Sequence, residues 1–215
     1  MKGRASKRSA IVYGASGHGK VVADILHVCG MDVEGFVDDS PKVSQLNILG
    51  DGKWLAEQAS LRPLTVALGI GNNFDRRTVA ERLISSNIPL LTAVHSTATI
   101  AASAKISPGV VIMAHAVVNA DAFVGPGAII NTGAIVEHDC RVGSYAHLSP
   151  KAAIGGHVEV GDLAWLGIGS SVIPNLKIGE GAIVGAGATV VNDIEEWVLA
   201  VGTPARVSKQ LARVV

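Results

Sequence analysis

From Ile100 to Val190 an aliphatic residue stands at every sixth position, sixteen in succession: Ile100, Ile106, Ile112, Val118, Val124, Ile130, Val136, Val142, Leu148, Ile154, Val160, Leu166, Val172, Ile178, Val184 and Val190. The fourth residue after each is small or apolar, from Ala104 through Cys140 to Ile194. A helix repeats near 3.6 residues and a flat strand every two, so neither asks for a period of six. A parallel β-helix does, because each hexad forms one side of a coil and sends its first residue inward. Three hexads make one coil, and stacked coils share one narrow core. Residues 91–195 are therefore expected to form an all-β parallel helix.

The chain ahead of the hexads has a different rhythm. Ile11–Tyr13 is a short apolar run ending in a glycine turn, Gly14-Ala15-Ser16-Gly17-His18-Gly19. Val21, Val22, Ile25, Leu26 and Cys29 then fall at helical spacing, with Gly30 as the stop. Val33–Val37 predicts a second strand ending at Asp38-Asp39, and Leu64–Leu68 a third ending at Gly69-Ile70-Gly71-Asn72-Asn73. Val79, Ala80, Leu83 and Ile84 suggest a helix after it. Alternating strands and helices predict a parallel sheet, an α/β Rossmann-like unit over 10–90. Residues 1–9 are expected to be a disordered tail. Residues 196–215 leave the repeat, with Gly202-Thr203-Pro204-Ala205 as a turn and a short helix beyond it.

The sixth residue of each hexad neighbours an inward one and should point outward. Positions eighteen apart stack on one face of the prism. One face reads Lys105, Phe123, Arg141, Glu159, Lys177, Glu195, a charged surface for water. The second reads Val111, Ile129, His147, Trp165, Ile183, and the third Val117, Ile135, Ala153, Ser171, Thr189. Two faces are poor surfaces to leave in water. Two different faces that need cover suggest a head-to-tail contact closing into a ring, and a triangular prism points to a homotrimer.

Composition narrows the partners. Aromatic residues are only 4% of the 215, which suits a core of Val, Ile and Ala. Formal net charge is zero, so electrostatics gives no reason to expect nucleic acid or an anionic membrane. The one basic cluster is Met1–Arg8. No apolar run is long enough to span a bilayer, and none resembles a signal segment. Two cysteines, Cys29 and Cys140, make no disulfide framework, and a cytoplasmic location is expected.

Candidate chemistry lies in both halves. The turn Gly14–Gly19 can bring backbone N–H groups and a helix N-terminus against phosphate, though its glycines run G-x-x-G-x-G rather than in the dinucleotide order. Asp38 follows at a strand end, where an acid commonly takes a ribose hydroxyl, or simply caps a loop. Three turns at the carboxyl ends of parallel strands make a ligand crevice, and the space between His18 and Asp38 would suit a nucleotide or nucleotide-sugar. In the coils, Glu137-His138-Asp139-Cys140 puts a histidine at a hexad corner between acids, where a carboxylate can hold one tautomer and make the ring more basic. Gly156 is eighteen residues on, one coil above, and its N–H is a candidate oxyanion donor. His147 is half a coil from His138, so the two can share a site only across a subunit interface. Trp165 stacks above His147. Cys140 reads as a buried small hydrophobe, and His95, His115 and His157 as structural or solvated.

Together, Tyr13–Gly19, Asp38-Asp39, Gly69–Asn73, Asn131-Thr132 with Glu137–Cys140, Leu166-Gly167-Ile168-Gly169 and Gly202–Ala205 resemble the bacterial hexapeptide-repeat sugar acetyltransferases. The nearest group is the sialic-acid acetyltransferases and nucleotide-aminosugar N-acetyltransferases, and the resemblance runs from Ile11 to about Val207. It implies a left-handed β-helix, a trimer, and acetyl-CoA bound between neighbouring prisms, with no metal. It places the general base on His138 and its acid partner on Asp139. It assigns acetyl-CoA contacts to His147, Ile168 and the turn Gly185-Ala186-Gly187, with Trp165 beside them. It assigns the nucleotide-sugar pocket to Ser16, Gly17, His18, Asp38, Asp39 and Gly71. The implied reaction is N-acetylation of a nucleotide-linked amino sugar, a UDP-4-amino-4,6-dideoxy sugar in particular. O-acetylation of sialic acid or another sugar hydroxyl stays open, as does a non-enzymatic nucleotide-sugar binding protein. A zinc hydratase on the same coil would need three converging histidines, and its H-x-x-x-x-H pair is absent.

Overall fold

The computed structural model describes residues 9–41 and 45–213. The tail expected over 1–9 lies outside the described residues except for Ser9, which opens the first strand. The chain divides into two compact units, Met1–Ser96 and Thr97–Val215.

In the first unit the strands are β1 (Ser9–Tyr13), β2 (Asp32–Val37), β3 (Ile48–Gly50), β4 (Val66–Leu68) and β5 (Leu90–Leu91). They pair in the order β3-β2-β1-β4-β5, every pair parallel. The helices are α1 (Gly17–Val28), α2 (Gly52–Leu61) and α3 (Asn73–Ser85). β1 and β4 are buried along nearly their whole length, as strands covered on both faces must be. That explains why they read as unbroken apolar runs. β3 and α2 were not expected. The run Ile48–Gly50 is too short to show a period, and α2 buries only Leu55, so its apolar stripe is faint. Asp51 starts α2 by accepting from the amides of Lys53 and Trp54, and Asn72 starts α3 by accepting from those of Phe74 and Asp75.

The second unit is a parallel β-helix. Rungs from Thr99 to Val190 are two residues long and pair eighteen residues on, as Val117–Val118 does with Ile135–Val136, and Ile129–Ile130 with His147–Leu148, until the last coil, where Ile183–Val184 pairs with Leu199–Ala200, sixteen on. The inward residues Val118, Val136, Leu148 and Leu166 are fully buried, and the small residue four later closes each corner. The corners carry left-handed residues, among them His115, Asp139, Tyr145, His157 and Leu163.

Two expectations need correction. After Gly202–Ala205 the chain forms not a helix but the strand Arg206–Gln210, antiparallel to Val198–Val201. On the second outward face, Val111, Ile129 and His147 are already buried within the single chain. Exposed apolar surface is narrower than the sequence implied: Trp165, Ile168, Ile135 and Ile173 carry most of it in the coils.

Candidate active site

The first cluster sits at the carboxyl edge of the parallel sheet. Strand order reverses around β1 and β4, which opens a crevice there. It holds a cavity of about 630 Å³ bordered by Gly14 and Ser16 after β1, Asp38 and Asp39 after β2, and Ile70–Asn72 after β4. Of the residues expected to bind a nucleotide-sugar, Ser16, Asp38, Asp39 and Gly71 line it. Gly17 and His18 are not among its walls.

The glycine turn is held by contact as much as by hydrogen bonds. A Cβ on Gly19 would lie 1.9 Å from the Gly14 carbonyl oxygen, and one on Gly69 would lie 2.8 Å from Gly19 Cα. Two glycines thus let the β1 and β4 turns touch. Ser16 begins α1 without a side-chain cap, unlike the residues that begin α2 and α3. The start of α1, at the cavity's edge, thus takes no cap from the Ser16 side chain.

Asp38 accepts from the amides of Ala15, at 2.7 Å, and Ser40, at 2.8 Å. It ties the glycine turn to the end of β2, the loop-cap role weighed against ribose binding. Asp39 accepts from the Tyr13 hydroxyl, the Gly52 amide and Arg82. Burial alone would lift the Asp39 carboxyl, but bonds from Arg82, Gly52 and Tyr13 outweigh it and hold it below the usual range. Burial, with the bond to Asp39, raises the Tyr13 phenol. His18 is pushed down to about 4, first by burial and then by the Arg76 charge, so its ring is neutral at pH 7. Arg76 is fully buried and donates to the carbonyls of Ile70 and Gly71 and to Asn73 Oδ1. Sequence reasoning missed Tyr13, Arg76 and Arg82. A fully buried arginine has no periodic signature, and arginine is rarely inside.

The second cluster sits on a corner of the coils. His138 Nδ1 lies 2.8 Å from Asp139 Oδ2. That bond places the Nδ1 proton against the carboxylate and leaves the Nε2 lone pair for another partner. Hydrogen bonding from His138 holds the Asp139 carboxyl below its usual range, against its slight desolvation and with the charge of His157 beside it. Gly156 stands directly above: a Cβ there would fall 2.6 Å from His138 Cε1 and 2.7 Å from Nε2. Only glycine leaves the imidazole its place. Along the ladder the amides of Gly155 and His157 donate to the carbonyls of Val172 and His138, and the Gly156 amide between them takes no part.

His157, read from sequence as structural or solvated, belongs to this corner. Its Nε2 is 3.6 Å from Asp139 Oδ2, and its ring meets that of His138 edge-on at 5.4 Å. The signal was available: His157 is eighteen residues after Asp139, so it stacks over it. Two imidazoles and one carboxylate within 4.8 Å of one another are a set a divalent ion could use. Here the 2.8 Å bond between His138 and Asp139 occupies the space between two of those donors.

The residues expected to contact acetyl-CoA lie elsewhere. His147 and Trp165 are on the face opposite the His138 corner, with rings stacked at 5.9 Å and 5°. Asn131 Nδ2 is 3.0 Å from His147 Nε2, and Trp165 Nε1 donates to Ser149 Oγ at 2.8 Å. Ile168 and Ala186 are exposed on adjacent coils, where the Gly187 amide donates to the Ile168 carbonyl. Beside Ala186, Gly185 packs under Val201. Within one chain, then, His138 and His147 do not converge.

Comparison with known proteins finds matches in both units. Residues 9–83 match the PglD N-terminal domain, and residues 157–192 match the bacterial transferase hexapeptide of six repeats. The chain is similar to perosamine N-acetyltransferase from Caulobacter crescentus, solved as a histidine-to-asparagine variant with CoA and GDP-perosamine. That likeness has 37% identity and a TM-score of 0.90, over 95% of this chain and 98% of that one. It is also similar to the acetyltransferase domain of PglB from Neisseria gonorrhoeae, solved with acetyl coenzyme A. There the identity is 34% and the TM-score 0.88, over 94% of this chain and 100% of that one. A UDP-N-acetylbacillosamine N-acetyltransferase of Bacillus subtilis is 38% identical over 112 residues, 50% of this chain and 52% of that relative. The match therefore spans about half the length of that curated relative.

Proposed function

The chain belongs to the bacterial hexapeptide-repeat sugar N-acetyltransferases, and on that premise we propose that it moves acetyl from acetyl-CoA to the amino group of a nucleotide-linked amino sugar. The observation that carries the mechanism is the His138–Asp139 pair, with Nδ1 bonded to the carboxylate and Nε2 against Gly156. As the amine attacks the thioester carbonyl, His138 Nε2 takes its proton. The Gly156 N–H faces the oxygen that gains charge in the tetrahedral intermediate. The intermediate collapses, the C–S bond breaks, and coenzyme A leaves as a thiol on receiving a proton. Asp139 keeps the ring in the tautomer that accepts at Nε2.

The sugar nucleotide sits in the cavity of the first unit, with its phosphates toward the uncapped start of α1. A UDP-linked 4-amino-4,6-dideoxy sugar is the proposed acceptor. A GDP-linked one is the rival, because the Caulobacter relative was solved with GDP-perosamine. Two of the relatives compared above are N-acetyltransferases, which favours N- over O-transfer. Acetyl-CoA lies along the face carrying His147, Trp165 and Ile168 and reaches a neighbour's His138, so the working form is a homotrimer. The exposed Trp165 and Ile168 support that reading. We place the reaction in the cytoplasm; among the described residues, no helix is long and apolar enough to cross a membrane.

Thiol release from acetyl-CoA across UDP-, GDP- and dTDP-linked amino and hydroxy sugars tests the function. Turnover on an amino sugar with none on its hydroxy analogue is the expected result. Release only on hydroxy sugars would overturn N-transfer, and no release on any would overturn the substrate class. Mixing His138→Ala with His147→Ala protein tests the shared site. Subunit exchange should raise activity above either variant alone, and verified exchange without recovery would separate the two histidines.

A further inference from the structure

We propose that Cys140 is a positioning residue for the proposed reaction: its thiol holds the Gly155–Gly156 peptide so that the Gly156 N–H points to the developing oxyanion. The inference rests on the role given to His138 and Gly156 above. Cys140 Sγ is 3.0 Å from the Gly155 carbonyl oxygen, and the residue is fully buried. That carbonyl and the Gly156 N–H belong to one peptide unit. The unit is trans, as the only cis bond among the described residues precedes Pro204. In a trans peptide the C=O and N–H point in opposite directions. A thiol anchoring the carbonyl from inside the coil therefore turns the amide outward. Outward here means toward the His138 ring, which packs against Gly156 and whose side chain is 55% exposed.

This arrangement differs from the corner stacked over Met113, while at its own corner the carbonyls of Glu137 below and Ile173 above likewise take no amide three residues on. In the hexads at Met113, Asn131, Ser149 and Gly167 the corresponding carbonyl takes the amide three residues on, from Ala116, Ala134, Ala152 and Ser170. Those small residues make the corner with backbone alone. At the catalytic corner the carbonyl is engaged by a side chain from the coil below. Gly155 and Gly156 are two residues without Cβ in succession, so backbone sterics restrain this peptide little. The side-chain anchor adds to the flanking ladder bonds, from the Gly155 amide to the Val172 carbonyl and from the Asn175 amide to the Gly156 carbonyl. Burial also raises the thiol above its ordinary value, which keeps the proton on sulfur where it can be donated.

The test compares three variants of the full-length protein. Cys140→Ala removes the donor, Cys140→Ser keeps one, and Val158→Ala opens a similar space one coil above while keeping the thiol and the Val158 backbone that bonds to it. Losing a whole oxyanion donor costs about 10²–10³ in kcat, so loosening one should cost roughly tenfold. Cys140→Ala should lower kcat by about that factor, with KM for both substrates and the pH profile of kcat/KM unchanged. Cys140→Ser should recover most of the loss. Val158→Ala should lower Tm and leave kcat near wild type. Wild-type kcat in Cys140→Ala, or equal kcat losses in Cys140→Ala and Val158→Ala, would overturn the proposal. Failure of the underlying reading looks different: His138→Ala would then retain near-normal kcat, whatever Cys140→Ala does.

Discussion

At the scale of single residues, His138 and Asp139 divide one task. In the proposed reaction the carboxylate orients the ring and the ring takes the proton. A positioned base contributes roughly 10²–10⁴ in rate, so His138→Ala should lower kcat by about that factor in a steady-state assay. The coils should survive, because a corner side chain carries little of the core. Asp139→Asn should cost less, since the imidazole remains. His157→Ala should cost less still, because Asp139 keeps its 2.8 Å bond to His138. His18 gives a stability prediction with a definite sign. Its pKa falls from 6.5 to about 4 on folding, so between those values the unfolded chain binds the extra proton. Its contribution is full above about pH 6.5 and is lost as pH falls toward 4, at about 1.4 kcal/mol per pH unit. Thermal unfolding from pH 7 to 4 should show a shallower acid loss for His18→Asn than for the wild type.

At the scale of elements, the turns after β1 and β4 depend on contact between backbones. Gly19→Ala would drive a methyl group into the Gly14 carbonyl, an overpacking that costs at least about 2 kcal/mol. Its Tm should fall, and its KM for the sugar nucleotide should rise more than that for acetyl-CoA. Asp38→Ala should act in the same direction, since Asp38 ties the glycine turn to β2. An equal rise in both KM values would place the sugar outside the first unit. On the coils, Gly156→Ala puts a methyl group on the imidazole. Its kcat should fall at least as far as that of Cys140→Ala, because the proposed base and oxyanion donor would be displaced together.

At the scale of the whole molecule, the proposed trimer accounts for a proposed base and a proposed acetyl-CoA face that lie on opposite sides of one chain's prism. Light scattering should give a mass near three times 22.0 kDa. Trp165→Glu should shift the mass toward the monomer, because it puts an unpaired charge on the covered face. A wild-type monomer at micromolar concentration would remove the shared site. The narrower exposed surface on that face, with Val111, Ile129 and His147 already buried, makes Trp165 and Ile168 the positions where such a change should tell most.

The β-helix was legible because its period is set by the backbone. Each hexad repeats the same dihedrals, so inward and outward positions follow from counting, and rungs pair eighteen residues on until the last coil, where the offset is sixteen. The glycine turn and the adjacent pair His138-Asp139 were legible for the same reason: their partners are near in sequence or one coil away. The eighteen-residue register also put His157 over Asp139, but reading that contact needed attention to corners as well as faces. Other features had no local period to betray them. The burial of Arg76, the Tyr13–Asp39–Arg82 cluster, the strand that replaced the expected terminal helix and the anchoring of Gly155 by Cys140 depend on how far a side chain reaches and on what lies opposite. Sequence determined the direction in which most coil side chains leave the backbone. Tertiary structure decided which polar groups meet, because desolvation and hydrogen-bond geometry are properties of the assembled neighbourhood rather than of spacing along the chain.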